Sequence, residues 1–407
     1  MSESKAHTLT GTDASWYDGW EISNEKREEY SQLSKKSYKA KLKAITENKV
    51  GHYQDINTPQ LDPNDLMPQL QKNGLRTLSL FSGGGGLDLG FDLAGFEHVA
   101  SYEILDFAAK TIKQNRPDWD VFSGKDGDVT NIDWTKYKGK VDVIHGGPPC
   151  QPFSTAGKQK GKDDARDMIP EFVRCVKEIE PKAFVIENVS GLTSAKFKKY
   201  LSETIFRPLE KDYSIELFTL NAAGFGVPQI RKRVVFVGIR KGSSSNKYIK
   251  PKESFDYSHL KRNGNSKLNV QPTLFEEFSE LKKCLGVREA LGLEDIGYDT
   301  IAPTLRCTLT GPRSTTSILS STSAQKVWNS IGIWPNGVQY DREKASAFET
   351  KNGTFRLSVQ DCALLQGFPE NWKFNGPVYQ ALGQVGNSVA PPMAYNIAVS
   401  IAQVFKD

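Results

Sequence analysis

Val141-Asp142-Val143-Ile144-His145-Gly146-Gly147-Pro148-Pro149-Cys150-Gln151-Pro152-Phe153-Ser154 is the segment from which the fold can be predicted. A β-branched apolar run ends in two glycines and two prolines, which predicts a buried strand that stops and turns outward at a sheet edge. Proline on either side restricts the backbone around Cys150. Because open α/β sheets bind ligands at the carboxyl ends of their strands, this position favours a reactive thiol. The alternative is a structural cysteine buried in a core.

The composition is ordinary for a globular protein. The chain has 407 residues, 25% charged and 38% hydrophobic, which is long enough for two domains. A net charge of +5 permits a polyanionic partner without requiring one. The five cysteines include no C-x-x-C pair and the histidines have no metal-ligand spacing, which argues against disulfides and a metal site. Without an apolar signal segment or a membrane-length run, we expect a cytoplasmic protein that does not enter membranes.

A glycine-rich turn follows an earlier apolar run. Thr77-Leu78-Ser79-Leu80-Phe81 predicts a buried strand, and Ser82-Gly83-Gly84-Gly85-Gly86 then leads into a predicted helix. This is the shape of a nucleotide-binding crossover, although the spacing does not satisfy G-x-G-x-x-G and no P-loop Gly-Lys-Ser/Thr follows. The next predicted strand ends in Glu103, where an acid can bind ribose hydroxyls, and a third is expected to end at Asp128. Together these features predict an adenosine pocket.

Charged residues mark the later strand ends. The apolar run 183–186 leads directly into Glu187, which we expect to lie in the same sheet as Cys150. Gln229, Arg231 and Arg233 alternate along an extended segment, so they share a face that could bind phosphate or a pyrimidine carbonyl. The lysine- and glycine-bearing segment 157–166 is either a mobile surface loop or a lid that closes over a substrate.

In this order, the segments resemble the motifs of bacterial DNA cytosine-5 methyltransferases of the restriction-modification type. The resemblance covers residues 76–240 and 353–407. Ser79 is a departure, since the family usually has an acidic residue there, and Gly84 replaces a commoner Leu or Ile. The matching segments are Phe81-Ser82-Gly83-Gly84-Gly85-Gly86, Tyr102-Glu103, Gly127-Asp128-Val129, Pro148-Pro149-Cys150-Gln151, Glu187-Asn188-Val189, Gln229-Ile230-Arg231-Lys232-Arg233, Arg356-Leu357-Ser358-Val359-Gln360-Asp361-Cys362-Ala363-Leu364-Leu365-Gln366-Gly367-Phe368-Pro369 and Gln384-Val385-Gly386-Asn387-Ser388-Val389.

The resemblance implies an α/β fold: the Rossmann-like sheet of S-adenosylmethionine-dependent methyltransferases with a smaller inserted target-recognition domain. It implies methyl transfer from S-adenosylmethionine, without a metal, to C5 of a cytosine flipped out of a specific double-stranded DNA sequence. The expected protein is a monomer, cytoplasmic and nucleoid-associated, with a cognate restriction endonuclease as its genetic rather than physical partner. The expected division is an N-terminal polar extension 1–75, a catalytic and cofactor domain 76–240, a Ser/Thr/Gly-rich target-recognition domain 241–352 and a returning C-terminal segment 353–407.

The resemblance also implies roles for individual residues. Cys150 is the expected nucleophile, Glu187 contacts the N3 edge of cytosine, Arg233 contacts its carbonyl, and Arg231 contacts a phosphate or a loop. The base that removes the C5 proton is not identified, and an ordered water is one candidate. Either Thr304-Leu305 or Thr308-Leu309 corresponds to a Thr-Leu pair often found in the target-recognition domain. The expected cofactor contacts are Phe81, Ser82, Gly83, Gly85, Gly86, Leu87, Glu103, Asp128, Val129, Pro149, Asn387 and Ser388. The expected DNA contacts are Gln151, Ser154, Lys158, Arg306 and Arg313.

Three other classes of protein explain the sequence less completely. A tRNA-methylating relative shares the catalytic motifs but carries Cys-Phe-Thr, whereas Cys362 is followed by Ala363-Leu364. A non-catalytic DNA-binding homologue should lack a reacting group, yet the cysteine, the glutamate and both arginines are present. A nicotinamide oxidoreductase explains the glycine turn but not the cysteine segment. The sequence therefore favours site-specific DNA methylation.

Overall fold

A seven-stranded sheet forms the centre of the molecule. The computed structural model describes residues 53–149, 167–260, 281–306, 316–350 and 353–406, together with several positions between 24 and 39. The strands of this sheet are β1 Arg76–Leu80, β2 Glu97–Tyr102, β3 Val121–Phe122, β4 Val143–Gly146, β5 Ala183–Val189, β6 Tyr213–Asn221 and β7 Lys232–Arg240. Their order across the sheet is β3-β2-β1-β4-β5-β7-β6.

Strand direction determines which residues share an edge of this sheet. Strands β1 to β5 pair in parallel, whereas β7 runs antiparallel to both β5 and β6. The carboxyl ends of the five parallel strands therefore lie at one edge, and the amino end of β7 joins them there. That edge is the expected position for a ligand site in an open α/β sheet.

Helices cover both faces of the sheet. Two short helices, Lys198–Leu201 and Arg207–Leu209, are joined by a π-helical turn at Ser202–Phe206. The helices are α1 Pro63–Leu66, α2 Gly86–Leu93, α3 Asp106–Asn115, α4 Ile169–Ile179, α5 Lys198–Leu201, α6 Arg207–Leu209, α7 Val287–Ala290, α8 Thr322–Ser330, α9 Arg342–Ser346, α10 Val359–Leu365, α11 Val378–Asn387 and α12 Pro391–Val404. Within the described ranges, none of these helices has the length and apolarity needed to cross a membrane.

Neighbouring residues of the central strands enter opposite cores, as the two-residue period of a strand requires. Val143 and Val185 pack with α2 and α12, whereas Ile144 and Ile186 pack with α4 on the other face. Burial on both faces explains why these strands are continuous apolar runs. A Cβ on Gly90 of α2 would lie 2.5 Å from the backbone nitrogen of Tyr395, so glycine permits the close contact between α2 and α12.

A second region follows β7 and contains two small sheets. Its strands are β8 Phe255–Asp256, β9 Lys282–Lys283, β10 Ile333–Gln339 and β11 Phe355–Ser358, with β8 parallel to β9 and β10 parallel to β11. A shared apolar core joins this region to α10 and α11. Asn57 Nδ2 donates to the carbonyl of Leu291 and to Asp361 Oδ1, so the amino-terminal part also packs here. The domain boundaries stay predictions. The pairing of β10 with β11 joins residues on both sides of the boundary expected between 352 and 353.

Candidate active site

The glycine turn after β1 has a left-handed backbone at several positions. Phe81 has a φ of 56°, Gly83 of 54° and Gly85 of 81°. The helix α2 begins directly after the turn, at Gly86. A non-glycine residue such as Phe81 adopts this conformation only when its surroundings hold it there. The conformation of the turn is therefore held by the residues around it.

Three of its glycines are needed because protein atoms occupy the space of a side chain. A Cβ would lie 2.9 Å from Ser388 Oγ at Gly84, 2.6 Å from the Trp372 ring at Gly85, and 2.3 Å from the carbonyl oxygen of Val389 at Gly86. Trp372 Nε1 also donates to the Gly84 carbonyl (3.1 Å). The carboxyl-terminal segment therefore packs directly on the turn and brings Ser388 to it.

Gly83 differs from the other three glycines. A Cβ at Gly83 would have no described neighbour closer than the Phe81 carbonyl oxygen at 4.0 Å, so this side of the turn is open. The Gly83 N–H donates to Glu103 Oε2 (2.6 Å), and the Leu105 N–H donates to Oε1 (2.9 Å). Burial raises the pKa of Glu103, and these backbone donors oppose that shift. An open glycine beside a buried carboxylate fits the polar edge of a nucleoside.

The segment that carries Asp128 approaches the backbone of Glu103 through Gly127, but Asp128 does not end a strand as the sequence suggested. Strand β3 ends at Phe122, and Asp128 lies between two short 3-10 turns, Gly124–Gly127 and Val129–Asn131. Its Oδ1 accepts from the Thr130 N–H (3.0 Å), so it caps the second turn. A Cβ on Gly127 would lie 2.4 Å from the Glu103 carbonyl oxygen, which explains how closely the two segments approach.

The remaining predicted cofactor contacts differ in exposure. The side chains of Leu87 and Val129 pack in the two apolar cores, so any ligand contact they make must come from the backbone. Ser82 is buried, and Pro149 is partly exposed. Asn387 ends α11 and is exposed, whereas Ser388 is buried and its hydroxyl donates to the Gln384 carbonyl.

Glu187 and Arg233 form a buried ion pair at the same sheet edge. Arg233 Nε donates to Glu187 Oε1 at 2.8 Å, with side-chain exposures of 12% and 8%. The antiparallel register places Arg233 opposite Val189 and Glu187 opposite Val235, so the two charged residues are diagonal neighbours on one face. Burial raises the pKa of Glu187, and the charges of Arg233 and Arg231 oppose that rise. The structure therefore brings together two residues that are 46 positions apart.

The backbone leading to the cysteine segment lies against this pair. A Cβ on Gly147 would lie 2.9 Å from Glu187 Oε2, and Asn188 Nδ2 donates to the Pro148 carbonyl at 3.1 Å. Strand β4, which precedes these residues, is the direct neighbour of β5, which ends in Glu187. Among the predicted contacts, Cys150, Gln151, Ser154, Lys158 and Arg313 lie outside the described residues.

The structure does not place Arg231 where it could contact a phosphate, which was one of its two predicted roles. Its residue exposure is 0%, and Nη2 donates to the carbonyls of Gly386 (2.8 Å) and Ser388 (2.7 Å). In this conformation it has no surface through which to reach a phosphate. Gln366 Nε2 donates to the same Ser388 carbonyl. Arg231 therefore anchors the carboxyl-terminal segment beside the glycine turn.

Sequence reasoning missed several residues that shape this edge. Because Asn188 directly follows Glu187 in the chain, the sequence does indicate that it lies at the end of the same strand. Trp372 and Gly84 are separated by 288 positions, and no local pattern pairs them. Asp88, in the first turn of α2, is buried and accepts a hydrogen bond from Ser101 Oγ at 2.8 Å. Because acids are common in the first turn of helices, the sequence carries no signal that singles out Asp88.

Comparison with known proteins agrees with this geometry. The family model described as C-5 cytosine-specific DNA methylase matches residues 75–403. The chain belongs to this family. The predicted family is therefore confirmed, and with it DNA cytosine-5 methyl transfer as the activity. The family implies S-adenosylmethionine as the methyl donor.

Relatives of this C-5 cytosine methylase align over most of its length. The Type II methyltransferase M.NgoMIV of Neisseria gonorrhoeae is 35% identical over 331 residues, covering 81% of this chain and 98% of the relative. M.Eco47II of Escherichia coli is 31% identical over 354 residues, covering 83% of this chain and 81% of the relative. A solved structure described as a DNA modification methyltransferase encoded within an E. coli prophage has a TM-score of 0.51 at 22% identity, covering 82% of this chain and all of that one. This likeness confirms the predicted fold.

One of the two Thr-Leu pairs, Thr304-Leu305, lies among the described residues of the region after β7. Thr304 Oγ1 donates to the Ile230 carbonyl (2.7 Å), and the Leu305 N–H donates to Gln229 Oε1 (3.1 Å). This pair therefore contacts the segment that carries Arg231 and Arg233, whereas the other pair lies outside the described residues. Arg306 follows directly and is partly exposed, with its N–H bonded to the Ile318 carbonyl.

Proposed function

We propose that this methylase modifies a cytosine flipped out of a specific double-stranded DNA sequence, using Cys150 as nucleophile and Glu187 with Arg233 to hold the base. The observation that carries the proposal is the buried Glu187–Arg233 pair, packed against Gly147 at the edge where β4 leads toward Cys150. A carboxyl group and a guanidinium side by side complement the donor and acceptor pattern on one edge of a cytosine ring.

Cys150 has the chemistry that the ring requires. C5 of cytosine is a weak nucleophile, so a thiolate first adds to C6 and moves electron density to C5. C5 would then take the methyl group of a sulfonium donor, whose methyl–sulfur bond breaks to leave a neutral thioether. The C5 proton would leave to a base, and the C6–sulfur bond would break to restore the thiolate. A free thiol is only a few per cent ionised at neutral pH. Lowering its pKa by about 1.5 units takes about 2 kcal/mol, which neighbouring cationic groups can supply.

Glu187 is suited to bind and protonate the N3 edge of the base. Its burial favours the neutral carboxyl, which can donate a hydrogen bond that a carboxylate cannot. Arg233 favours the charged form and supplies a donor for the cytosine carbonyl. Between these two influences the carboxyl can exchange its proton with the base while the C6 adduct forms.

The residues around the glycine turn would hold S-adenosylmethionine, which supplies a methyl group on a sulfonium centre. Gly83 leaves space beside the turn, Glu103 accepts hydrogen bonds, and Phe81 is a partly exposed aromatic ring at the strand end. Asn387 and Ser388 would close the other side. Leu87 and Val129 would contribute through the backbone.

DNA contacts are proposed for the segment that contains Gln151, Ser154 and Lys158, and for Arg306 and Arg313. Flipping the base costs a few kcal/mol. Contacts to the DNA backbone, and side chains that fill the space the base has left, would offset this cost. Because its relatives are named Type II methyltransferases, we further propose that this chain protects host DNA from a cognate restriction endonuclease. The proposed state is a monomer in the cytoplasm, associated with the nucleoid.

Base-resolution methylation mapping tests the proposal. Plasmid DNA from cells expressing the protein is compared with plasmid from cells expressing Cys150→Ser at the same level. The proposal predicts 5-methylcytosine at one recurring sequence with the unmodified protein and background with the variant. Equal methylation in both samples, or modification at scattered cytosines, would overturn it. Protection from a restriction endonuclease that recognises the mapped sequence tests the biological role separately.

A further inference from the structure

An amino-terminal segment, residues 53–61, packs on the second region, although it precedes the part of the chain that the family model matches, which begins at residue 75. The N–H groups of Gln60 and Leu61 both donate to the Ala290 carbonyl, at 3.1 and 3.2 Å. The Leu61 side chain is buried in the apolar core that joins the second region to α10 and α11. We name residues 53–61 the strap.

Asn57 lies at the centre of the strap. It is 8% exposed, and its Nδ2 donates to the Leu291 carbonyl at 2.9 Å and to Asp361 Oδ1 at 3.1 Å. Asp361 is fully buried, and the same Oδ1 accepts from Arg342 Nε at 2.8 Å. One buried amide group therefore joins the turn after α7 to the helix α10, which are distant from each other in the chain.

Gln54 holds the amino end of the strap on β11. Its Nε2 donates to the Arg356 carbonyl at 2.9 Å, and its Oε1 accepts from the Arg356 N–H at 2.6 Å. The preceding residue, Phe355, instead donates its N–H to the Gly332 carbonyl, on the side of β10. Arg356 thus presents its backbone groups at the open edge of a two-stranded sheet. A single side-chain amide supplies both of the hydrogen bonds that a third strand would have made there.

Gly292 lets the strap approach the turn after α7. It has a φ of 68°, and a Cβ at this position would lie 1.8 Å from the Thr58 carbonyl oxygen, so a side chain would push the strap away. Glycine satisfies both requirements, since it adopts a left-handed backbone readily and has no Cβ. The fit of the strap therefore depends on residues from both sides of the contact.

The chain that follows the strap is fixed to the central sheet and its helices. Met67 is buried in the core that packs α2 and α12 on the sheet. The Leu70 N–H donates to the Leu93 carbonyl at 2.8 Å, and the Tyr395 hydroxyl donates to the Pro68 carbonyl at 2.9 Å. One end of this amino-terminal chain is therefore bonded to the second region and the other to the central sheet. Such a connection restricts movement of the second region relative to the sheet.

We propose that the strap is a positioning element for DNA recognition, with Asn57 as its main attachment: it holds the second region in the orientation that brings Arg306 to the DNA beside the sheet edge. The strap does not touch DNA in this account. It acts through the second region, whose Thr304 and Leu305 bond to the segment that carries Arg233. The inference rests on the proposed role of this region in target recognition, and it adds the part of the chain that keeps the region in place.

The test measures DNA binding separately from cofactor binding. In Asn57→Ala we expect the KM for a duplex with the mapped sequence, and its Kd by fluorescence anisotropy, to rise about fivefold, because DNA must then order a region that the two lost hydrogen bonds held in place. The Kd for a duplex without the sequence should stay at the wild-type value, since non-specific binding rests on phosphate contacts. The kcat at saturating DNA and the Kd for S-adenosylmethionine should also be unchanged. A general loss of folding would instead lower the active fraction, and with it kcat, without raising KM.

Two further variants disturb the strap at other contacts, which keeps the test available even if Asn57→Ala does not fold. Gln54→Ala removes both bonds to Arg356, and Gly292→Ala places a methyl group against Thr58; each should raise the KM for the mapped duplex about threefold. Asn246→Ala is the matched control, because Asn246 Nδ2 also donates to two carbonyls, those of Val404 (3.2 Å) and Lys406 (2.9 Å), after β7 and at the end of α12. Its KM for DNA should equal that of wild type.

An unchanged KM for the mapped duplex in folded Asn57→Ala and Gln54→Ala, or an equal rise in Asn246→Ala, would overturn the inference. The failure of the proposed function looks different. If the wild-type protein binds duplexes with and without the mapped sequence equally well, then the proposed target recognition is wrong. If wild type discriminates and Arg306→Ala loses affinity while Asn57→Ala keeps it, the recognition region stands and only the role of the strap is refuted.

Discussion

Replacing Glu187 with glutamine tests the buried pair directly. The amide has nearly the same shape, and its oxygen can still accept from Arg233 Nε, now 2.8 Å from the carboxylate. It cannot donate a proton to the base or carry a charge. Loss of a general acid costs about 10²- to 10⁴-fold in rate, which corresponds to about 3–5 kcal/mol of transition-state stabilisation.

The same substitution should affect stability much less than activity. Removing one partner of a buried ion pair outright costs about 3–5 kcal/mol. Glutamine keeps one hydrogen bond to Arg233 and removes a carboxylate whose raised pKa shows that burial penalises its charge. We therefore expect a loss of about 1–2 kcal/mol in the free energy of unfolding, and the variant should stay folded.

The assay is transfer of radiolabelled methyl groups to a duplex that contains the mapped sequence, with DNA and S-adenosylmethionine both saturating. Urea unfolding at the same pH gives the stability of the same samples. Glu180→Gln is the control, because Glu180 forms an ion pair with Arg240 at the opposite end of β7, at 2.7 Å. A folded Glu187→Gln variant with a kcat within threefold of wild type would refute the role given to this carboxyl.

Three other predictions follow from contacts at the same edge. In Gly147→Ala the new methyl group lies 2.9 Å from Glu187 Oε2 and displaces the carboxylate, so steady-state kinetics should show kcat reduced about tenfold with little change in Tm. Trp372→Phe loses the hydrogen bond to the Gly84 carbonyl, and calorimetry should show S-adenosylmethionine affinity lowered about threefold while folding is retained. In wild type the raised pKa of Asp88 stabilises the fold below pH 3.8, and this contribution is lost as the pH rises through about 6. Urea unfolding should therefore show that Asp88→Asn lacks about 3 kcal/mol of this pH dependence.

The sequence predicts the parts of the site that depend on local pattern. Apolar runs that end in glycine, proline or an acid mark the ends of β1, β2, β4 and β5, because a strand buried on both faces needs a continuous apolar run and its end carries the polar group. Glu103 and Glu187 could be placed in this way. Asp128 could not, since β3 is only two residues long and ends well before it.

Contacts between distant segments could not be predicted in the same way. The placement of Arg233 beside Glu187 depends on β7 running antiparallel within a mostly parallel sheet, and a strand's sequence does not specify its direction. The burial of Arg231 depends on carbonyls supplied from residues 386 and 388. The packing of Trp372 on the glycine turn likewise depends on the return of the carboxyl-terminal segment. Such pairings arise from tertiary structure and leave no periodic signal in either partner.

The central claim is that the sulfur of Cys150 bonds transiently to C6 of the target cytosine. A duplex carrying 5-fluorocytosine at the mapped position tests it, because fluorine cannot leave as a proton does and the adduct should persist after methyl transfer. We predict a denaturation-resistant protein–DNA complex that requires S-adenosylmethionine, forms with Cys175→Ala, and is assigned to Cys150 by mass spectrometry of the digested complex. The absence of a complex on this duplex, or a link through another residue, would contradict the account.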